Sequence, residues 1–202
     1  MHVQLFDDTE GGTQVDIMRA TFSALSDHGY DQLTISKIGN YFGKSNSLIY
    51  HYYDGKDELL FDFFDYLLTR MPLEVTISDE TTVHEQLWEI IDLLLSLLDN
   101  EEGDEFVAAL VELQSQATQR NEFREQITEA DRTYYDNLLQ LIEKGIDEGE
   151  YCDTDPEAVV QFIQTVISGA MVRDATIDRA TNPAVIRGEL QVYFQSRLLN
   201  PE

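Results

Sequence analysis

The stretch TISKIGNYFGKSNSLIYHYY, residues 34–53, decides the fold. Thr34 can cap a short helix carrying Ile35, Ile38 and Phe42, and Gly43 closes it. Ser45 can then cap a second helix from Asn46 to about Tyr53. Two short helices around a tight glycine turn make a helix-turn-helix, whose second helix lies in a DNA major groove while the first crosses the backbone. Ile35, Ile38, Phe42 and Ile49 have the spacing to lock the pair against Met18, Phe22 and Leu25 of a preceding helix. Lys44, Asn46, Ser47, Leu48, Tyr50, His51 and Tyr52 are left in or near the exposed recognition segment. Asn46 can bridge adenine N6 and N7, and Leu48 or a tyrosine ring can touch a thymine methyl. Lys37, Lys44, Lys56, the hydroxyls of Thr34 and Ser45, and the helix N-termini suit phosphates. The same two helices would also serve as plain packing in an all-α protein, with residues 50–53 half in the core, so charge has to discriminate.

The chain has 202 residues, with 39 Asp and Glu against 13 Lys and Arg, a formal net charge of −26. Such acidity argues against nucleic acid, because phosphates repel it. Its distribution argues the other way. Three of the four lysines (Lys37, Lys44, Lys56) lie between residues 34 and 56, where Asp54 is the lone acid. The window carries +2, which leaves −28 on the remainder. An acidic, lysine-poor surface is the composition of a halophilic protein kept soluble in molar salt, and the window reads as spared from acidification. At about 1 M salt the Debye length is ~3 Å, so the acidic body is screened from DNA. The same screening weakens phosphate attraction, so binding is expected to fall only weakly with KCl, or to rise.

Helical apolar spacing continues on both sides of the motif, and the chain reads as all-α with about nine helices. Thr13 can cap the first, through Met18, Phe22 and Leu25, with Gly29 its stop. Asp54 can cap the fourth, through Leu59, Leu60, Phe63, Phe64 and Leu67 to near Pro72. Thr82 to Glu85 has the form of a capping box for the fifth. Phe106, Leu110 and Leu113 mark the sixth, and Ile127, Tyr134, Leu138, Leu141, Ile142 and Ile146 a long seventh ended by Gly149. Asp155-Pro156 and Asn182-Pro183 open the eighth and ninth. Hydrophobic residues make up 43% of the chain, so a core is affordable and disorder is not expected. Cys152 is the single cysteine and cannot form an intramolecular disulfide. No apolar run approaches a membrane span, and residues 1–12 read as a flexible acidic arm, wrong in sign for a signal peptide or for entering a minor groove. A cytoplasmic protein is expected.

At these residues the chain resembles the TetR family of transcriptional regulators. The resemblance runs from Ile17 to Leu60: Ala20, Gly29 and Tyr30, then Thr34 to Ile38, Gly43, Ser45, Ile49 to Tyr53, Lys56, and Glu58 to Leu60. Residues 142–151, IEKGIDEGEY, look like the family's junction between its seventh and eighth helices. The resemblance implies phosphate contacts from Tyr50 and Lys56, and base contacts from Asn46, Ser47 and Tyr52. Two positions depart from the family pattern: Lys44 stands where a small apolar residue is usual, and Leu48 where a hydroxyl-bearing phosphate contact is usual.

Residues 73–202 carry no catalytic constellation: no HExxH, cysteine cluster, glycine-rich phosphate loop or G-x-S-x-G. An enzyme, a metal centre and a cofactor are therefore not expected, and Cys152 reads as a bystander thiol. The resemblance implies a helix-turn-helix domain over 13–55 and a ligand-binding and dimerisation domain over 56–202. Large apolar side chains with a few polar tips would line an effector pocket: Trp88, Phe106, Leu110, Gln114, Tyr134, Tyr135, Phe162, Val166 and Met171. Few charges among them favour an apolar or aromatic small molecule. Phe162, Val166, Ser168, Gly169, Ala170, Ile186, Leu190, Tyr193 and Phe194 are the expected homodimer residues. Helix nine is apolar nearly all round, more than one core face needs. Two recognition helices related by a two-fold axis would read an inverted-repeat operator, and an effector that changed the angle between helices four and six would release it. Gly55 and Met71-Pro72 are the expected pivots. The alternative is a ligand- or protein-binding helical dimer whose helix-turn-helix no longer binds DNA, a reading that Leu48 and the net charge favour and the lysines oppose.

Overall fold

Capping chemistry sets where the helices begin. The computed structural model describes residues 6, 11–71, 81–177 and 181–199, so the expectations for the acidic arm and for Pro72 lie outside the described residues. Among these, nine α-helices and no strand are found: α1 Thr13–Gln32, α2 Ile35–Phe42, α3 Asn46–Tyr52, α4 Lys56–Leu68, α5 Val83–Ser96, α6 Glu101–Ser115, α7 Asn121–Asp147, α8 Pro156–Thr176 and α9 Pro183–Arg197. The chain is all-α, as its periodicity predicts. At α5, Thr82 and Glu85 form the reciprocal capping box. Asp155 and Asn182 cap α8 and α9 through their side chains, each followed by Pro in the first turn.

Three boundaries differ from the sequence expectation. Thr13 is the first helical residue of α1 and Gly12 its N-cap. Gly55, not Asp54, is the N-cap of α4. The Asp54 N–H instead donates to the Glu58 carboxylate at 2.6 Å, a side chain reaching back one turn to an N–H the helix leaves unpaired. The fourth helix ends at Leu68 rather than near Pro72. A 3₁₀ turn, Gln116–Thr118, lies between α6 and α7; three residues are too few for periodicity to reveal it.

The chain divides into two compact units. One gathers the described residues up to Met71 with Ala108–Thr128. Ile17, Leu25, Ile38, Ile49, Leu59, Phe63 and Phe64 are wholly buried in it. Phe123 joins this core, its ring 5.5 Å from Phe64 and 6.0 Å from Phe61. Burying such a side chain contributes ~2 kcal/mol each, which is what holds three short helices that would be marginal alone. The other unit gathers 81–107 and 129–199, around Leu87, Ile91, Leu138, Leu141, Ile142, Val159, Val160, Ile163 and Phe194. Helices α6 and α7 contribute residues to both.

Candidate nucleic-acid interface

The turn between α2 and α3 is built as its residues suggest. The Thr34 hydroxyl accepts from the Lys37 N–H at 3.2 Å, and the Ser45 hydroxyl accepts from the Ser47 N–H at 3.3 Å. Gly43 ends α2 in the left-handed conformation, φ 67°. Ile35, Ile38, Phe42 and Ile49 are buried, with Met18, Phe22 and Leu25 of α1. The far end of α3 is pinned as well. Tyr53 is buried, and its hydroxyl donates to Asp62 of α4 at 2.5 Å; burial first, and that carboxylate second, push its pKa up.

With its apolar side fixed, α3 turns a polar and aromatic face to solvent. Ser47 and His51 are exposed, and Tyr50 and Tyr52 keep 58% and 43% of their surface. The His51 ring meets the Tyr52 ring edge-on at 5.6 Å. Leu48 is half-buried, and so is Asn46. The Asn46 carboxamide occupies the space where a Cβ on residue 39 would stand, so a side chain there would have to displace it. Asn46 therefore has a packing partner that its reading as a base contact did not include.

The lysines differ in setting. Lys37 is half-buried in the first turn of α2. Lys44 is exposed and its ammonium lies 2.6 Å from the Asp16 carboxylate of α1, and 5.4 Å from the Phe42 ring. An exposed pair of this kind contributes ~0–1 kcal/mol and exchanges readily for a phosphate. Lys56 is half-buried, donates to the Tyr30 carbonyl at 2.5 Å, and lies over the Tyr30 ring at 4.5 Å. Desolvation lowers its pKa. Tyr41, 39% exposed with its hydroxyl 2.5 Å from Asp27, borders this region. Sequence reading passed over it because it stands among the apolar positions of α2.

The nine effector positions do not fall together in one unit. Leu110 and Gln114 belong to the unit with the helix-turn-helix, Leu110 buried and Gln114 exposed. The other seven belong to the second unit. There Phe106, Tyr134 and Met171 are buried, Trp88, Tyr135 and Val166 half-buried, and Phe162 41% exposed. The Trp88 Nε1–H donates to His84 Nε2 at 3.0 Å, its ring meets Phe194 at 5.1 Å, and the Arg187 guanidinium lies 4.3 Å above it. Tyr134 has a buried hydroxyl without a hydrogen-bond partner among the described residues, and burial raises its pKa.

Of the expected dimer residues, Ala170, Leu190 and Phe194 are buried in their own unit, Val166, Ile186 and Tyr193 are half-buried, and Phe162, Ser168 and Gly169 are exposed. Phe162 of α8 and Tyr193 of α9 stack at 4.2 Å. Val185 and Val192 of α9 are each 60% exposed, and Val172 and Ile177 near the end of α8 are 43% and 42% exposed. Val185 and Val192 stand seven apart, two helical turns, a spacing from which the outer stripe of α9 is readable. A shallow groove of about 710 Å³ runs past Gln161, Thr165, Ser168, Gly169 and Val172 on α8.

Comparison with known proteins places this geometry. A family model for bacterial regulatory proteins of the tetR family matches residues 17–63, and one for the C-terminal part of BetI-type transcriptional repressors matches 83–197, more than half of the chain. The chain belongs to the TetR family of transcriptional regulators. It is 28% identical to the fatty acid metabolism regulator protein of Bacillus subtilis (strain 168), over 67% of this chain and 69% of that one. The structure of a TetR transcription regulator from Haloarcula marismortui is similar over 92% of this chain and 98% of that one, with 34% identity and a TM-score of 0.77. A transcriptional regulator from Saccharomonospora viridis, solved in complex with choline, shares the fold at 17% identity and a TM-score of 0.76, over 93% of this chain and 98% of that one. The family consists of regulators rather than enzymes. No helix among the described residues is long and apolar enough to cross a membrane.

Proposed function

We propose that the protein is a cytoplasmic, halophilic repressor that binds an inverted-repeat operator as a homodimer and is released by a small-molecule effector. The face of α3 carries this reading: Ser47, Tyr50, His51 and Tyr52 are exposed on a helix whose other side is locked in the core. Hydroxyls, an imidazole and tyrosine edges are groups that contact base edges and phosphates. Thr34, Lys37, Lys44, Ser45 and Lys56 flank them, Lys44 reaching DNA by leaving Asp16. DNA binding is assigned to residues 13–55, and ligand binding with dimerisation to 56–202.

The exposed apolar side chains of α8 and α9 support pairing with a second copy. A closed two-fold arrangement covers such a face with its own equivalent. For the effector, the orphan Tyr134 hydroxyl in an apolar interior supports a largely apolar molecule with one polar group to meet it. A relative named for fatty acid metabolism is in keeping with that chemistry.

The test is to select fragmented DNA of the source genome with purified protein in molar KCl, and sequence what is retained. Recovery of a shared inverted repeat is the expected result. An intact dimer that retains nothing above background would overturn operator binding by the effector-free protein. The second reading, a dimer that no longer binds DNA, is favoured by the internal engagement of Lys44 and Lys56. Lys37→Glu separates the two, since only a DNA-binding protein loses DNA while keeping its dimer.

A further inference from the structure

Tyr30, in the turn that ends α1, is held at each of its polar atoms. Its N–H donates to Glu112 Oε1 at 2.6 Å, its carbonyl accepts from Lys56 Nζ at 2.5 Å, and its hydroxyl accepts from Arg120 Nη1 at 2.8 Å. Arg120 also pairs with Asp57 through Nη2 at 2.5 Å, and this hydrogen bond holds the Asp57 carboxyl below its ordinary range. Gly29 makes the approach possible. Its φ of 68° turns the chain out of the helix, and a Cβ there would stand 3.2 Å from Glu112 Oε1.

Lys56 and Asp57 open α4, Glu112 belongs to α6, and Arg120 immediately precedes α7. These segments therefore meet at one residue of α1. The Tyr53–Asp62 bond carries α4's position on to the end of α3. Glu112 and Arg120 alone in this set come from outside the first four helices. Their helices continue along the chain to Phe106 and Tyr134, two of the effector positions.

We infer that Glu112 and Arg120 are positioning residues for DNA recognition: through Tyr30 they hold α1 and α4, and with them α3, at one setting. The inference rests on the DNA-binding reading above. A displacement of α6 or of the start of α7 changes the partners of Tyr30 before it changes anything in the recognition helix. The clamp is also a place where stability and recognition separate. Removing it need not unfold a unit whose core is apolar, but it frees the angle at which α3 is presented.

The test uses full-length dimers of Glu112→Ala, Arg120→Ala and Glu112→Gln, the last of which retains an oxygen able to accept from the Tyr30 N–H. Each is titrated with the recovered inverted repeat and with versions carrying one or two base pairs inserted between half-sites. Wild type and Glu112→Gln should prefer one spacing. The alanine variants should lose roughly 10-fold on that spacing, the scale of coupling through such networks, and less on the others, so that the preference flattens. A purely structural role would lower melting temperature and leave the ratios among spacings unchanged, and that result overturns the inference. Hydrogen exchange at residues 30–33 and 56–60 decides independently of DNA. If wild type binds no repeat, the functional reading falls, and the positioning role stands only if exchange quickens in the alanine variants and not in Glu112→Gln. Unchanged exchange in all three overturns it.

Discussion

The outer faces of α3 and of α8 with α9 are both rich in large side chains, yet they differ in what those side chains end in. On α3 the exposed groups finish in hydroxyls and an imidazole: Ser47, Tyr50, His51 and Tyr52. On α8 and α9, among exposed polar residues, stand large apolar ones that finish in methyls and a phenyl ring: Phe162, Val172, Val185 and Val192. A polar face with a nearby lysine can exchange water for the edges of bases and for phosphates. An apolar face gains only by covering itself, and a second copy of the same face is a ready cover. On the proposed reading, the difference gives one face to DNA and the other to the dimer.

The largest effect is expected where a carboxylate enters the apolar face. Val192→Glu should raise the dimer dissociation constant by at least ~30-fold, the cost of disrupting the centre of an interface, and operator binding should fall with it. Sedimentation equilibrium measures the first. A variant that remains dimeric would place the interface elsewhere. Tyr52→Ala addresses the opposite face. It should weaken operator binding by roughly 10-fold, within the range of one lost groove contact, and leave the dimer intact. Equal weakening of unrelated DNA would instead assign Tyr52 to phosphate contact alone.

Salt separates the faces more gently. Lys44 and Lys56 each have a partner within the chain, so few cations are presented to phosphates. The slope of log affinity against log KCl should accordingly be shallow, below about 3 in magnitude, where each phosphate contact adds ~0.9. Apolar pairing of α8 and α9 should not weaken over the same range. A steep slope would show that phosphate neutralisation dominates.

The smallest effect comes from acid, and it is confined to the second unit. His84 packs between Trp88, Tyr151 and Phe194, and burial holds its pKa below the ordinary 6.5, against the opposing pull of Glu150 and Glu85. Folding therefore favours the neutral imidazole, which accepts the Trp88 N–H. The contribution is whole above about pH 6.5 and declines as pH falls through that value toward the folded pKa, because the unfolded chain then binds the extra proton. Melting curves between pH 5 and 7.5 should show this decline flattened in His84→Gln. Exchange rates in α1–α3 should not follow it.

What the sequence makes legible is chemistry that acts over one or two turns. Thr34, Ser45, Thr82, Asp155 and Asn182 cap the helices they precede, because a cap is decided by residues two or three apart. The locked side of the helix-turn-helix follows from the same short spacing. Asp54 misled by one position, since Gly55 takes the N-cap and a side chain from the next turn satisfies Asp54 instead. The Tyr30 clamp was beyond reach: Glu112 and Arg120 lie 82 and 90 residues away, and nothing in their local pattern marks either as a partner. The Asn46 contact with Gly39 was hidden for a different reason. A short polar side chain at the start of a recognition helix reads as a base contact until the helix before it is in place. The expected effector set was grouped by size and polarity alone, and these do not say in which unit a residue is buried.

The most direct test compares one full inverted repeat with a single half-site of the same sequence, both titrated with wild-type protein in molar KCl. Two linked recognition helices predict two chains bound per full repeat and affinity well above that for the half-site, which can engage only one α3. Equal affinity for the two, or one chain per full repeat, would contradict the assignment of the apolar face to the dimer and the polar face to DNA.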